Sequence, residues 1–109
     1  MPKRNKILRT ICPLETALDI IGGKWKGIII YRLLDGKMRF NELRRVIPAI
    51  THRMLIRQLR ELQNDGLIVR NVQTEGQIKV EYGLSSHGIA LKSILLKLRA
   101  WGEKINNID

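Results

Sequence analysis

Residues Arg39 to Leu67 read RFNELRRVIPAITHRMLIRQLRELQNDGL, and this stretch decides the fold. It divides into a short helix, a turn (Ile47-Pro48-Ala49-Ile50) and a longer helix that stops at Gly66. With successive residues about 100° apart around the axis, Leu55, Leu59 and Leu62 share one stripe of the longer helix. Arg53, Arg57 and Arg60 fall on nearly the opposite stripe. One side can pack on a core while the other holds three guanidinium groups outward. From Lys37 to Arg60 there are seven basic residues against one acid, Glu42. A helix pair with that bias points to a helix-turn-helix for nucleic acid. Thr51 suits the N-cap of the second helix. That puts Thr51, His52 and Arg53 at its leading end, where a recognition helix reaches base edges.

After Gly66 the hydrophobic period changes from about 3.6 to 2. Leu67 to Val72 forms one strand. Ile78, Val80, Tyr82 and Leu84 alternate with Lys79, Glu81 and Gly83, which predicts a second strand with one buried face. Gln73 to Gln77 carries a glycine and joins the two as a β-hairpin. A hairpin directly behind a recognition helix is the order of a winged helix. Arg70, Gln77 and Lys79 are its candidates for the DNA backbone or minor groove, although Glu75 at the tip weakens the electrostatic case for deep insertion. Ser85 or Ser86 then caps a last helix running to about Ile105. Leu91, Ile94, Leu95, Leu98, Trp101 and Ile105 make a long apolar stripe along it. That is more apolar surface than so small a core covers, and a partner chain is the simplest cover.

Before the central stretch, Cys12-Pro13-Leu14-Glu15 starts a helix, with proline at the first helical position and an acid in the first turn. Leu14, Ala17, Leu18 and Ile21 recur at helical spacing, and Gly22-Gly23 ends it. Cys12 sits at or beside the N-cap, with Arg9 close in sequence. Both would lower a thiol pKa. Cys12 is therefore either an oxidisable thiol or a small, partly buried hydrophobe. A second helix spans Lys24 to Leu34, with Trp25, Ile28, Ile29, Leu33 and Tyr31 as its core-facing candidates. Lys24 and Lys26 oppose the dipole at its N-terminus, which either a docked anion or solvent would relieve. The third helix, from Met38 or Arg39 to Val46, turns Phe40 and Leu43 inward.

The chain has 109 residues and a formal net charge of +10. That length fits one domain, divided into a basic arm (1–11) and a winged-helix domain (12–109). An excess of cations favours nucleic acid or an anionic surface as partner. A single cysteine excludes an internal disulfide. No signal peptide and no membrane-length apolar run is visible, so the cytoplasm is the expected compartment and no membrane partner is expected. His52 and His87 lie far apart, with no Cys or His at metal-ligand spacing. No phosphate loop or nucleophile–base arrangement is suggested. Glu42, Glu61 and Asp65 read as solvated helix positions. No metal, cofactor or catalytic site is expected.

Several segments in order carry a family likeness. They are Cys12-Pro13-Leu14-Glu15, Ile20-Ile21-Gly22-Gly23-Lys24-Trp25, Arg39-Phe40-Asn41-Glu42-Leu43, Ile50-Thr51-His52-Arg53-Met54-Leu55, Gln58-Leu59-Arg60-Glu61-Leu62, Asp65-Gly66-Leu67 and Val80-Glu81-Tyr82. In this set the chain resembles the HxlR-type winged helix-turn-helix regulators, allied to the multiple-antibiotic-resistance regulators. The resemblance implies a homodimer joined through its first and last helices, bound to an inverted repeat in double-stranded DNA. It also implies that Cys12 matches a cysteine with which some relatives sense disulfide stress, quinones or aldehydes. Two features depart from the family: the hairpin loop lacks the prolines common in family wings, and there is no second cysteine near the C-terminus.

The expected fold is thus α+β and mainly helical, a winged helix-turn-helix with a C-terminal dimerisation helix. Thr51, His52, Arg53, Arg57 and Gln58 are expected in the major groove. Lys24, Arg39, Arg45, Arg60, Gln77 and Lys79 are expected on phosphates or at the wing. Leu14, Leu18, Leu91, Ile94, Leu95, Leu98, Trp101 and Ile105 are expected to dimerise. An RNA-binding or architectural protein using the same basic face is the competing reading. In a ligand-sensing variant of the regulator, an effector pocket lined by Trp25, Tyr31 or Trp101 would lie between the dimerisation helices and the DNA-binding core.

Overall fold

The computed structural model describes residues 12–107, so the expected basic arm lies outside the described residues. The elements are α1 (Pro13–Ile21), α2 (Lys26–Leu33), α3 (Phe40–Val46), α4 (His52–Asn64), β1 (Ile68–Gln73), β2 (Lys79–Leu84), α5 (Ser86–Ile89) and α6 (Lys92–Asn106). The core gathers Ile29, Ile30 and Leu33 of α2, Leu43 of α3, Ile47 and Ile50 of the turn, and Leu55, Leu59 and Leu62 of α4. Leu67, Ile68 and Leu95 close it from the wing and from α6. This is the winged helix-turn-helix expected from the order of periodicities.

Local chemistry explains the boundaries of α4. The Thr51 hydroxyl accepts the Met54 N–H at 3.1 Å, which satisfies one otherwise orphaned donor of the first turn. At the other end Leu67 N–H reaches the Leu62 carbonyl at 3.0 Å and Gly66 N–H reaches that of Gln63 at 3.1 Å. That is a Schellman ending. It needs a left-handed residue at Gly66, where φ is +80°, and it turns the chain straight into β1.

The hairpin is antiparallel, in register from Ile68 opposite Leu84 to Gln73 opposite Lys79. Its loop is Thr74–Ile78, one residue later than expected. Ile78 lies outside the strand and is 75% exposed, so the expected buried face of the second strand does not extend to it. The buried position of β2 is Gly83; a Cβ there would stand 3.0 Å from the Lys37 stem that covers it. Met38 adds a one-residue third strand: its N–H donates to the Tyr82 carbonyl at 2.9 Å and its carbonyl accepts from Tyr82 at 2.8 Å. The third helix accordingly begins at Phe40, and Met38 belongs to the sheet.

Three further expectations are corrected. The second helix begins at Lys26, with Lys24 in the preceding turn. Ile30, not Ile28, faces inward beside Ile29, and Ile28 is exposed. The last helix is two helices, broken at Ala90-Leu91. Ser85 caps only the first, accepting from Gly88 N–H at 3.2 Å and donating to the Gly66 carbonyl at 2.6 Å. Gly88 lies so tightly on the wing that an added Cβ would stand 2.3 Å from the Leu67 carbonyl oxygen. The short helix is therefore moored to the β1 entry. α6 starts afresh at Lys92 in order to lay Leu95 on the core.

Candidate nucleic-acid interface

α4 has the two faces its sequence predicts. Leu55, Leu59 and Leu62 are buried, while Arg53, Arg57 and Arg60 are exposed. At its leading end His52 is exposed, yet one side of its ring meets Phe40 edge to face, with centroids 4.7 Å apart. Gln58 departs from the outward set. It is half-buried and its amide donates to the Met54 sulfur at 3.3 Å, so it lies on the flank of the helix rather than on the arginine stripe.

Three of the phosphate candidates come together. Arg39, Arg45 and Lys79 line one open groove of about 460 Å³ between α3 and the wing, with Phe40, Asn41, Glu42, Ile78 and Val80. The Glu42 carboxylate is tied down there, accepting the Arg39 N–H at 2.7 Å. It caps α3 and is not simply solvated. Lys79 lies 3.6 Å from Glu81 on the same strand. Gln77 is exposed in the hairpin loop. Lys24 is not in this groove; its ammonium sits over the Trp25 ring, 4.7 Å from the centroid.

Sequence reasoning missed Glu61. Its carboxylate accepts Lys26 Nζ at 2.8 Å and Arg57 Nε at 3.2 Å. The Lys26 hydrogen bond holds the Glu61 carboxyl below the ordinary carboxylate range; partial burial pushes the other way, and the Arg57 hydrogen bond adds to the lowering. This also resolves the lysine at the N-terminus of α2. Lys26 is only 14% exposed in its side chain and spends its charge on α4. The Glu61–Arg57 spacing of four residues was legible as a helical pair, but Lys26 is distant in sequence and gave no signal.

Apolar surface remains exposed on the first and last helices. α1 has no buried residue, and Leu14 and Leu18 are exposed. On α6 Ile94, Leu98, Trp101 and Ile105 are exposed; Leu95 is buried in the domain's own core, and Leu91 packs half-buried against it. Cys12 is exposed at the N-cap of α1. A shallow groove of about 460 Å³ runs between α1, α2 and α6, lined by Ile21, Tyr31, Leu95 and Leu98 with Lys24 and Arg99 at its edge. Of the three aromatics named for an effector pocket, Tyr31 lines this groove, and Trp25 and Trp101 are not among its lining residues. Among the described residues no cluster of His, Cys, Asp and Glu is arranged to hold a metal, and no helix is long and apolar enough to cross a membrane.

An amphipathic second helix with outward arginines, a capped turn before it and a two-stranded wing after it define a winged helix-turn-helix DNA-binding protein. The HxlR-like helix-turn-helix family model matches residues 20–108. The chain belongs to that family and is a transcriptional regulator of the HxlR type. It is 57% identical over 93 residues to YdeP of Bacillus subtilis (strain 168), an uncharacterized HTH-type transcriptional regulator, covering 85% of this chain and 73% of that one. The redox regulator HypR in its reduced form superposes with a TM-score of 0.83 at 51% identity, covering 88% of this chain and 95% of that one. The reduced form of the regulator YodB from B. subtilis gives 0.78 at 36% identity, over 87% and 94%.

Proposed function

We propose that the protein binds an inverted-repeat operator as a homodimer, one α4 per half-site in the major groove. The observation that carries this is the opposition on α4 of a buried leucine stripe and an exposed arginine stripe. Thr51, His52, Arg53 and Arg57 face base edges, where arginine pairs bidentately with guanine. Arg39, Arg45 and Lys79 contact phosphates from their shared groove, with Arg60 further along the helix and Gln77 at the wing. The exposed faces of α1 and α6 supply the dimer contact.

Selection of bound duplexes from a random pool tests the reading. An inverted repeat with two equal half-sites is the expected result. Tight binding to structured RNA with no preference among duplexes would overturn it in favour of an RNA-binding or architectural role.

Oxidation of Cys12 is the proposed input. It is supported by the exposure of that thiol at the start of α1, an element of the proposed dimer contact, and by the redox character that the name of HypR states for that relative.

A further inference from the structure

Glu61 is the single acid on α4, HRMLIRQLRELQN, and it stands beside the arginine stripe. On a DNA-binding helix an acid is a cost. It repels phosphate, and its pairs with Lys26 and Arg57 hold back two cations that would otherwise displace counterions. An ordinary four-residue pair on a helix surface would be a weak reason to keep it. This one differs because a third group anchors it. The Lys26 side chain, 14% exposed, brings its ammonium within 2.8 Å of Oε1, while Arg57 Nε lies 3.2 Å from Oε2. The carboxylate is thus fixed to α2 through one oxygen and grips Arg57 through the other.

We propose that Glu61 is a positioning residue for DNA recognition: held by Lys26, it fixes the Nε of Arg57 and so sets the direction in which that guanidinium meets a base pair. The proposal rests on reading α4 as the recognition helix. A free arginine side chain on a surface samples many rotamers, whereas a bidentate contact needs one plane and one approach. Arg57 is 70% exposed in its side chain, so packing restrains its outer atoms little and the bond to Glu61 is what holds Nε. A bond at Nε directs the terminal nitrogens outward, the pair suited to an end-on contact with O6 and N7 of guanine. Glu61 exchanges general affinity for selectivity at one base pair.

The test is duplex binding by Glu61→Gln, using a duplex selected from a random pool by the parent, its single-base variants, and a random-sequence duplex of equal length. Three changes are expected. Affinity for the random duplex rises, and its dependence on salt steepens by about one unit of slope. Discrimination at one position per half-site falls about tenfold, while the other positions keep theirs. In an Arg57→Ala background, Glu61→Gln then has no further effect at that position. A merely structural role would instead lower selectivity at every position together, and that result overturns the proposal. So does unchanged selectivity in Glu61→Gln. If that variant does not fold, Lys26→Gln with Glu61→Gln replaces the ion pair by neutral amides and must show the same single-position loss. A parent with no preference among duplexes sinks the recognition-helix reading itself. A selective parent whose Glu61→Gln variant is equally selective sinks only the role of Glu61.

Discussion

Phe40 and His52, the first residues of α3 and α4, meet edge to face with ring centroids 4.7 Å apart and planes at 60°. The contact joins the leading ends of the two helices across the Pro48 turn. Phe40 also lines the groove that holds Arg39, Arg45 and Lys79. One ring pair therefore links the leading end of α4, proposed to face bases, to the groove proposed to hold phosphates.

His52→Ala removes that edge contact and is expected to lower unfolding stability by about 0.5–1.5 kcal/mol in denaturant titration. His52→Phe keeps the aromatic pair and keeps stability. It removes the ring nitrogens, so weaker binding to the selected duplex with unchanged stability marks His52 as a base contact. Equal stability of the parent and His52→Ala would show that the ring pair contributes nothing to the stability of the fold.

The Lys26–Glu61 pair predicts an acid limb in stability. The folded carboxyl titrates below its ordinary range, so the folded state binds fewer protons than the unfolded one in that interval. Stability is then fully present above the ordinary glutamate value of about 4.3 and drains away as pH falls through the lower folded value. Glu61→Gln is expected to be less stable than the parent by about 1 kcal/mol at neutral pH, the upper end for exposed pairs. The gap closes on acidification. Unfolding curves recorded between neutral and strongly acid pH check this, and a gap that stays constant would uncouple the pair from folding.

Periodicity revealed most of this fold because each element of the helix-turn-helix and wing carries its own signal. Thr51, Gly66 and Ser85 mark boundaries through hydrogen bonds made within a few residues or at a single turn. Failures occur where distant residues decide the outcome. Met38 joins the sheet because Tyr82 offers it both backbone partners. The apolar run Ile28-Ile29-Ile30 fits more than one helical face, and only the packing of α2 selects Ile29 and Ile30. The break at Ala90-Leu91 follows from Gly88 lying against the Leu67 carbonyl. At the candidate interface the arginine stripe was legible, whereas the grip of Lys26 on Glu61 depends on a neighbour that helical spacing does not name.

The proposed dimer contact predicts a separation between two leucines on α6. Leu98 is exposed and Leu95 is buried. Leu98→Glu is expected to leave the domain folded and to convert a two-chain species into one chain by sedimentation at micromolar concentration. Binding to the full inverted repeat falls, while weak binding to one half-site persists. Leu95→Ala strikes the core instead and costs about 2–5 kcal/mol in unfolding stability. A parent that sediments as one chain would leave the exposed faces of α1 and α6 without this explanation.

A disulfide at Cys12 has to join molecules, because the chain holds one cysteine. Treatment with diamide takes two electrons and two protons from a pair of thiols. The product is either a Cys12–Cys12 bond between two chains or a mixed disulfide with a small thiol. These differ on a non-reducing gel and by mass. Either product adds a covalent group at the N-cap of α1, near the exposed Leu14 and Leu18, and so would alter how two copies of α1 meet in the proposed dimer. Operator affinity is expected to change on treatment by diamide or a quinone and to return on reduction when a disulfide formed. Cys12→Ser keeps a residue of similar size with a good N-capping oxygen, so the helix start survives and the response disappears. A Ser variant that responds like the parent would make Cys12 structural and leave the regulator without this input.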